Sequence, residues 1–168
     1  MSSSATSGAD TFHTLLSQVD PPMVIVTCVV DDERTGCLVG FTTQCSIHPP
    51  RYLVCVSHEN HTYDLAMRAD VLAVHVLDED DIVLARVFGS LTGDDVDKLA
   101  LVDWVEGPDG VPVLVGAAGW FAGRVLDRHD VGDHTAVVLE PIAGEQRRPL
   151  DPPLGYQSMK DVDPGHPA

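Results

Sequence analysis

The stretch GCLVGFTTQCSIHPPRYLVCVSHENHT, residues 36–62, decides how the chain folds. It reads as strand, turn, strand, polar loop and helix start. Its two apolar segments meet at Pro49-Pro50, where proline, which has no N–H to give, ends a ladder. Thr42, Thr43, Gln44, Cys45, Ser46, Ser57, Asn60 and Thr62 crowd onto these segments. A hydroxyl or amide buried without a partner costs roughly 1–3 kcal/mol. A polar ligand lying across the strands would supply the partners.

Toward the N-terminus, MVIVTCVV over 23–30 is a β-branched run and reads as a buried strand. Residues 31–36 read as the hairpin loop that follows it. Phe12, Leu15, Leu16 and Val19 recur at helical spacing, so the pattern predicts a short amphipathic helix over 11–19, ended by Pro21-Pro22. Residues 1–10 are polar and read as a disordered tail.

Toward the C-terminus, Thr62 reads as the cap of a helix over 63–68. A strand over 71–77 follows, then Asp78 and a helix over 79–88. Asp80 and Asp81 in its first turn read as solvated carboxylates that suit the positive end of the helix, in preference to a metal site. A loop over 89–103 holds a helical piece at 96–101, and Gly107-Pro108-Asp109-Gly110 is a turn. Strands are expected over 111–115, 119–127 and 134–142, the last two joined by a loop over 128–133. Residues 158–168 read as a loose tail. About seven closely spaced strands with two or three helices predict a mainly β fold, an antiparallel barrel with peripheral helices, in one domain over 11–157.

Charge narrows the function. A net charge of -16 on 168 residues argues against nucleic acid and anionic membranes as partners. Any anionic cofactor must then be held by backbone N–H groups, hydroxyls and a few local bases. Cys28, Cys37, Cys45 and Cys55 lack CxxC spacing and sit in apolar runs, so they read as buried free thiols in a reducing compartment. The first residues lack the charged start and apolar stretch of a signal peptide, and no apolar run is long enough for a bilayer. The cytoplasm is the expected location.

No phosphate-binding glycine motif and no GxSxG elbow is present. His58 and His61 have no further ligand nearby, so no metal is expected. Asp130, Asp133 and His134 form a polar hairpin loop without an obvious nucleophile. Arg51, Arg124, Arg128, Arg147 and Arg148 read as surface cations balancing an acidic chain, with a nucleotide 2′-phosphate site as the other reading of any of them.

The segment GCLVGFTTQCSIHPPRYLVCVS resembles the flavin reductase family with the FMN-binding split-barrel fold. Gly36, Val39, Thr43, Ser46 and Pro49-Pro50 keep that family's frame. Gly132-Asp133-His134-Thr135 is similar to its GDH motif, Glu140 stands where a Gly-Glu pair is usual, and Pro153-Leu154-Gly155-Tyr156 resembles its PLxY. The likeness runs from Val19 to Tyr156. Leu38, Gly40 and Phe41 depart from it, replacing Thr, Ser or Asn, and Ser. So do Gln44, where Ser is common, and His58, where a basic residue is frequent. After Tyr156 the chain reads QSMKD in place of HxGxY.

The resemblance implies a split β-barrel that binds FMN, FAD or riboflavin and takes hydride from NADH or NADPH. It places Val39, Gly40, Phe41, Thr43, Gln44, Cys45 and Ser46 along the flavin, with Tyr156. Ser57, Asn60 and Thr62, donors in a short loop ahead of a helix, read as holding the flavin phosphate, with His61 also at the cofactor, and the resemblance gives His134 to the open face where a nicotinamide docks. It also implies a homodimer and a partner flavin-dependent monooxygenase. Hydride transfer needs stacking and dryness and no nucleophile, which suits a chain without a triad. Two further readings stay open: an FMN-bound oxidoreductase of this fold with another small substrate, and a flavin-binding module without turnover.

Overall fold

The computed structural model describes residues 6–90 and 95–162. They form α1 (Gly8–Leu16), β1 (Val24–Val30), β2 (Glu33–Val39), β3 (Thr42–Ser46), β4 (Arg51–Ser57), α2 (Thr62–Ala66), β5 (Val71–Val76), α3 (Ile82–Ser90), β6 (Trp104–Glu106), β7 (Pro112–Leu114), β8 (Gly119–Asp130) and β9 (His134–Gln146). Seven strands make one antiparallel sheet in the order β2-β1-β5-β8-β9-β4-β3, and β6 pairs with β7. No helix among the described residues is long and apolar enough to cross a membrane.

The sheet rolls on itself. Val24, Val26 and Cys28 of β1, Cys37 and Val39 of β2, Leu72 and Val74 of β5, Val54 and Val56 of β4, and Val137 and Leu139 of β9 share one core. β2 ends the sheet on one side and β4 lies next to the other end. Their side chains meet only because the sheet closes, and this is the expected split barrel. Leu65 and Ala66 of α2 enter the same core. The other face of β1 and β5 is covered too: Ile25 packs with Ala85 and Phe88 of α3, and Ala73 with Val111. Burial on both faces explains why MVIVTCVV is apolar without alternation.

His75, on that outer face of β5, is fully buried. Its Nδ1 lies 3.0 Å from the Ile25 carbonyl and its Nε2 lies 3.0 Å from the Leu114 N–H. The carbonyl needs a donor and the N–H an acceptor, so the ring is neutral with its proton on Nδ1. Burial, the largest cause, pushes its pKa down to about 4.

Several expectations change. The hairpin loop over 31–36 is a two-residue turn: Asp31 and Asp32 sit at φ of 51° and 64°, and Glu33 already pairs with Val30. Positive φ at both central residues gives the turn whose twist matches the strands. β8 runs on to Asp130, so the loop over 128–133 shrinks likewise. The first helix is Gly8–Leu16, capped by the Ser7 hydroxyl, and none of its residues is buried. β6 is three residues long, too short for a periodicity to reveal. The chain past 157 is not loose throughout, since Met159 is buried in the core under α3. Cys28 and Cys37 are buried thiols whose pKa values burial raises to about 12 and about 11. Cys55 is half-buried, but Cys45 is exposed on β3, where a bulge leaves it out of register.

The acidic start of α3 is not wholly solvated. Asp80 is exposed. Asp81 and Asp78 are buried, and Asp78 N–H donates to Asp81 at 3.0 Å while Asp80 N–H donates to Asp78 at 3.0 Å. Asp81 also takes the Ala118 N–H at 3.2 Å. Arg148 neutralises the pair, with Nε 3.0 Å from Asp78 and Nη2 on Asp81. Three of the five arginines are therefore structural. Arg128 Nη2 donates to the Ala66 and Ala69 carbonyls at the end of α2, and Arg147 Nη1 donates to Leu114 O at 2.6 Å. Arg51 pairs with Glu140 at 3.4 Å, and Arg124 is exposed.

Candidate functional site

The sheet brings three separate stretches to one place. β2 and β3 are joined by Gly40 and Phe41 alone. Gly40 passes so close to Met23 that a Cβ there would lie 3.2 Å from its sulfur. Phe41 follows with its carbonyl fixed by the Cys55 N–H at 2.9 Å and its side chain 63% exposed. The pairing of β4 with β9 then puts His134 opposite Ser57. The His134 ring stands 5.0 Å from the Phe41 ring at an interplanar angle of 48°. An exposed phenyl ring beside an imidazole is a shelf for a flat ligand.

His134 is held from behind. Its Nδ1 lies 2.6 Å from the Asp133 carboxylate. That hydrogen bond, with the nearby imidazole, holds the exposed Asp133 carboxyl below its ordinary range. In the neutral ring with its proton on Nδ1 directed at the carboxylate, Nε2 is an acceptor. The His58 N–H donates to Asp133 O at 3.0 Å, tying the β4–α2 loop to the β8–β9 turn. His58 Nε2 and the Tyr63 hydroxyl lie 3.1 Å and 3.2 Å from the buried Thr135 hydroxyl. Sequence reading missed Tyr63 and Thr135. No local signal marks them, because only the strand register brings them together.

The β4–α2 loop differs from expectation. Thr62 does not cap the helix: it is the first residue of α2, and the cap position is His61, in helical conformation without a side-chain bond to the helix. Thr62 is 1% exposed, and its hydroxyl lies 3.2 Å from that of Thr35. Its N–H donates to Asn60 Oδ1 at 2.9 Å. His61 lines two clefts. One, of about 380 Å³, runs along Glu33, His58, Glu59, Asp64 and Arg68. The other, of about 210 Å³, lies between Thr35, Arg34 and the buried Lys98.

Of the residues expected at the site, Phe41, Ser57 and His134 come together, and Asn60, His61 and Thr62 follow on the adjoining loop. Thr43, Gln44 and Cys45 are exposed on β3, with Ser46 at its end. β3 ends the sheet, and such an edge offers backbone N–H and C=O groups to a ligand. The Val39 side chain is buried in the barrel core, which leaves only its backbone for contact. Tyr156 is tied elsewhere: its N–H donates to Pro21 O at 2.9 Å, on the linker after α1. No ring contact among the described residues joins it to Phe41 or His134.

Residues 16–163 match the Flavin reductase like domain family, and the chain belongs to it. It is 33% identical over 127 residues to the reductase subunit HsaB of a flavin-dependent monooxygenase from Rhodococcus jostii, covering 73% of this chain and 62% of that one. It is 30% identical over 132 residues to the FMN reductase (NADH) RutF 2 of Methylorubrum extorquens, covering 77% and 75%. Other curated relatives are longer still, and the chain spans 37% of one and 50% of another. The crystal structure of a flavin reductase domain protein from Arthrobacter sp. FB24 superimposes with a TM-score of 0.80 at 22% identity, over 95% of this chain and 96% of that one. A likeness at that identity speaks to the fold.

A flavin ring suits the site on two counts. Its apolar face can lie against the exposed Phe41 ring, and its polar rim can meet the outer edge of β3.

Proposed function

We propose that the chain is a flavin reductase that moves hydride from NADH to FMN and releases reduced flavin for a partner monooxygenase. The observation that carries this reading is the Phe41–His134 shelf at the edge of β3, in a chain of the flavin reductase like domain family. Bound flavin supplies the two-electron acceptor. The chain's own part is placement. Phe41 and the β3 backbone seat the ring, and Asp133 fixes the His134 imidazole. His134 Nε2 then accepts from the carboxamide of a docking nicotinamide and orients it without taking a proton. FAD in place of FMN, and NADPH in place of NADH, are alternatives at the same site. The names of two relatives, an NADH-dependent FMN reductase and a monooxygenase reductase subunit, support NADH and an oxygenase partner.

The working form we propose is a homodimer in the cytoplasm. Beyond Leu139, β9 pairs only with β8, and its residues from Pro141 on are exposed. Phe41, Ile47 and Ile142 are exposed large apolar residues. A second copy would cover these surfaces and wall the flavin. Light scattering giving a monomer at micromolar concentration counts against that form.

The test of the activity is direct. The purified chain is mixed with NADH or NADPH, with and without FMN, and nicotinamide absorbance is followed. Oxidation that requires flavin is expected, with flavin bleaching under nitrogen. No oxidation of either nicotinamide with any flavin would sink the reading.

A further inference from the structure

The β4–α2 loop spends on itself the donors that a flavin phosphate needs. The N–H of His58 goes to Asp133 O at 3.0 Å, that of Glu59 to Ser57 Oγ at 3.3 Å and that of Asn60 to Ser57 O at 3.1 Å. Thr62 N–H goes to Asn60 Oδ1 at 2.9 Å and Tyr63 N–H to Asn60 O at 2.9 Å. Thr62 is 1% exposed, and its hydroxyl is engaged with that of Thr35. Anion-binding loops do the reverse: successive N–H groups converge outward on one point. α2 is five residues long, too short to add a dipole of consequence.

Charge points the same way. In the larger cleft, Glu33, Glu59 and Asp64 face a single guanidinium, Arg68, which itself lies 3.9 Å from Asp31. The smaller cleft has two cations, and both already lie against acceptors, although Arg34 Nε is a buried donor without a partner of its own. Arg34 pairs with Glu106 at 3.0 Å and lies over the Trp104 ring. Lys98 Nζ is turned to Phe88 O at 2.9 Å and Gly36 O at 3.4 Å, and Asp95 and Asp97 line the same cleft. The chain as a whole carries -16. A doubly charged phosphate therefore meets repulsion, and five of the loop's backbone N–H groups are already spent. The ring meets Phe41, which stands where the resembling family has a serine.

We propose that this chain recognises flavin by its isoalloxazine ring, seated on Phe41, and gains nothing from the phosphate. Riboflavin then binds as well as FMN. This inference rests on the flavin reductase reading, which names the ligand class.

The experiment is a set of titrations of the full chain with riboflavin and FMN, read by flavin fluorescence at low and at moderate sodium chloride. The two dissociation constants are expected to agree within about threefold at physiological ionic strength, with riboflavin the tighter at low salt. Adding salt should strengthen FMN binding and leave riboflavin unchanged, because only the phosphate is repelled. Phe41→Ser should weaken both flavins by one common factor, about three- to tenfold for a lost ring contact. Its melting temperature should stay put, since the side chain is 63% exposed. FMN binding tenfold or more tighter than riboflavin, and weakening with salt, overturns the proposal while the reductase reading stands. Unchanged affinity for both flavins in Phe41→Ser removes the ring seat. Failure of both flavins to bind or to support nicotinamide oxidation overturns the reductase reading, and this inference with it.

Discussion

Thr62 and His134 carry the residue-scale argument, and they separate structure from chemistry. Thr62 is buried, and its hydroxyl shares one hydrogen bond with Thr35, itself 8% exposed. Thr62→Val keeps the volume and strands the Thr35 hydroxyl away from water. The expected cost is about 1–2 kcal/mol of stability, with FMN affinity changed less than about twofold. Urea denaturation beside a flavin titration checks both halves. A large loss of FMN affinity at wild-type stability would return Thr62 to the phosphate. His134 should behave in the opposite way. It opens β9 with its side chain 18% exposed, held by the exposed Asp133 and set against the exposed Phe41 ring, so His134→Ala should leave the melting temperature nearly unchanged. Flavin reduction at subsaturating NADH should fall by roughly ten- to a hundredfold, the loss expected for misplaced orienting contacts. Stopped-flow reduction of flavin-saturated protein decides it, and a wild-type rate would take His134 out of the site.

At the scale of elements, Arg148 clamps three segments that follow one another only loosely in sequence. It lies beyond β9, it neutralises Asp78 and Asp81 at the start of α3, and its Nη1 donates to Gly116 O at 3.2 Å before β8. Arg148→Met would leave two buried carboxylates without a cation. Breaking a fully buried pair costs about 3–5 kcal/mol. Because the Arg148 side chain is 37% exposed, the expected loss is smaller, about 2 kcal/mol, seen as a lower urea midpoint at unchanged slope. An unchanged midpoint would mean that water replaces the guanidinium at no cost. Sequence could not foresee this clamp. The strands were legible because β-branched runs and their Gly, Pro and Asp punctuation are local signals, as in MVIVTCVV and at Pro49-Pro50. The acidic start of the helix after Asp78 was legible for the same reason. What a carboxylate does after capping depends on where residue 148 arrives, and that is a fact of topology. The site divides along the same line. Phe41 and His134 sit in motifs that could be read, whereas their meeting depends on the pairing of Ser57 with His134. The phosphate loop is harder to read, because its composition is rich in donors, and composition does not say whether donors point outward or back at the loop.

Over the whole molecule, one buried histidine links the barrel to what covers it. His75 joins β5 to the Ile25 carbonyl of β1 and to the Leu114 N–H of β7. Protonation would place a charge in a fully buried position and turn Nε2 from acceptor to donor against an N–H. Its folded pKa of about 4 lies below the ordinary 6.5, so between these values the unfolded chain holds more protons than the folded one. Stability from this group is therefore fully present above about pH 6.5 and is lost as pH falls through about 4. The gap corresponds to about 3 kcal/mol at most. Carboxylates complicate a bare stability curve, because protonating them relieves the self-repulsion of a chain of charge -16 as pH falls. The histidine is better followed by its own signal. In an NMR titration of the histidine side chains, His75 should keep the neutral Nδ1–H form down to about pH 5. Hydrogen exchange at the Leu114 amide should quicken relative to other core amides as pH falls from 6.5 toward 4, once the intrinsic pH dependence is divided out. An imidazole at position 75 that titrates near the ordinary 6.5 would mean that the bonds to Ile25 and Leu114 do not hold the ring neutral. The link between β1, β5 and β7 would then have to rest on the packing of Ile25 and Leu114 alone.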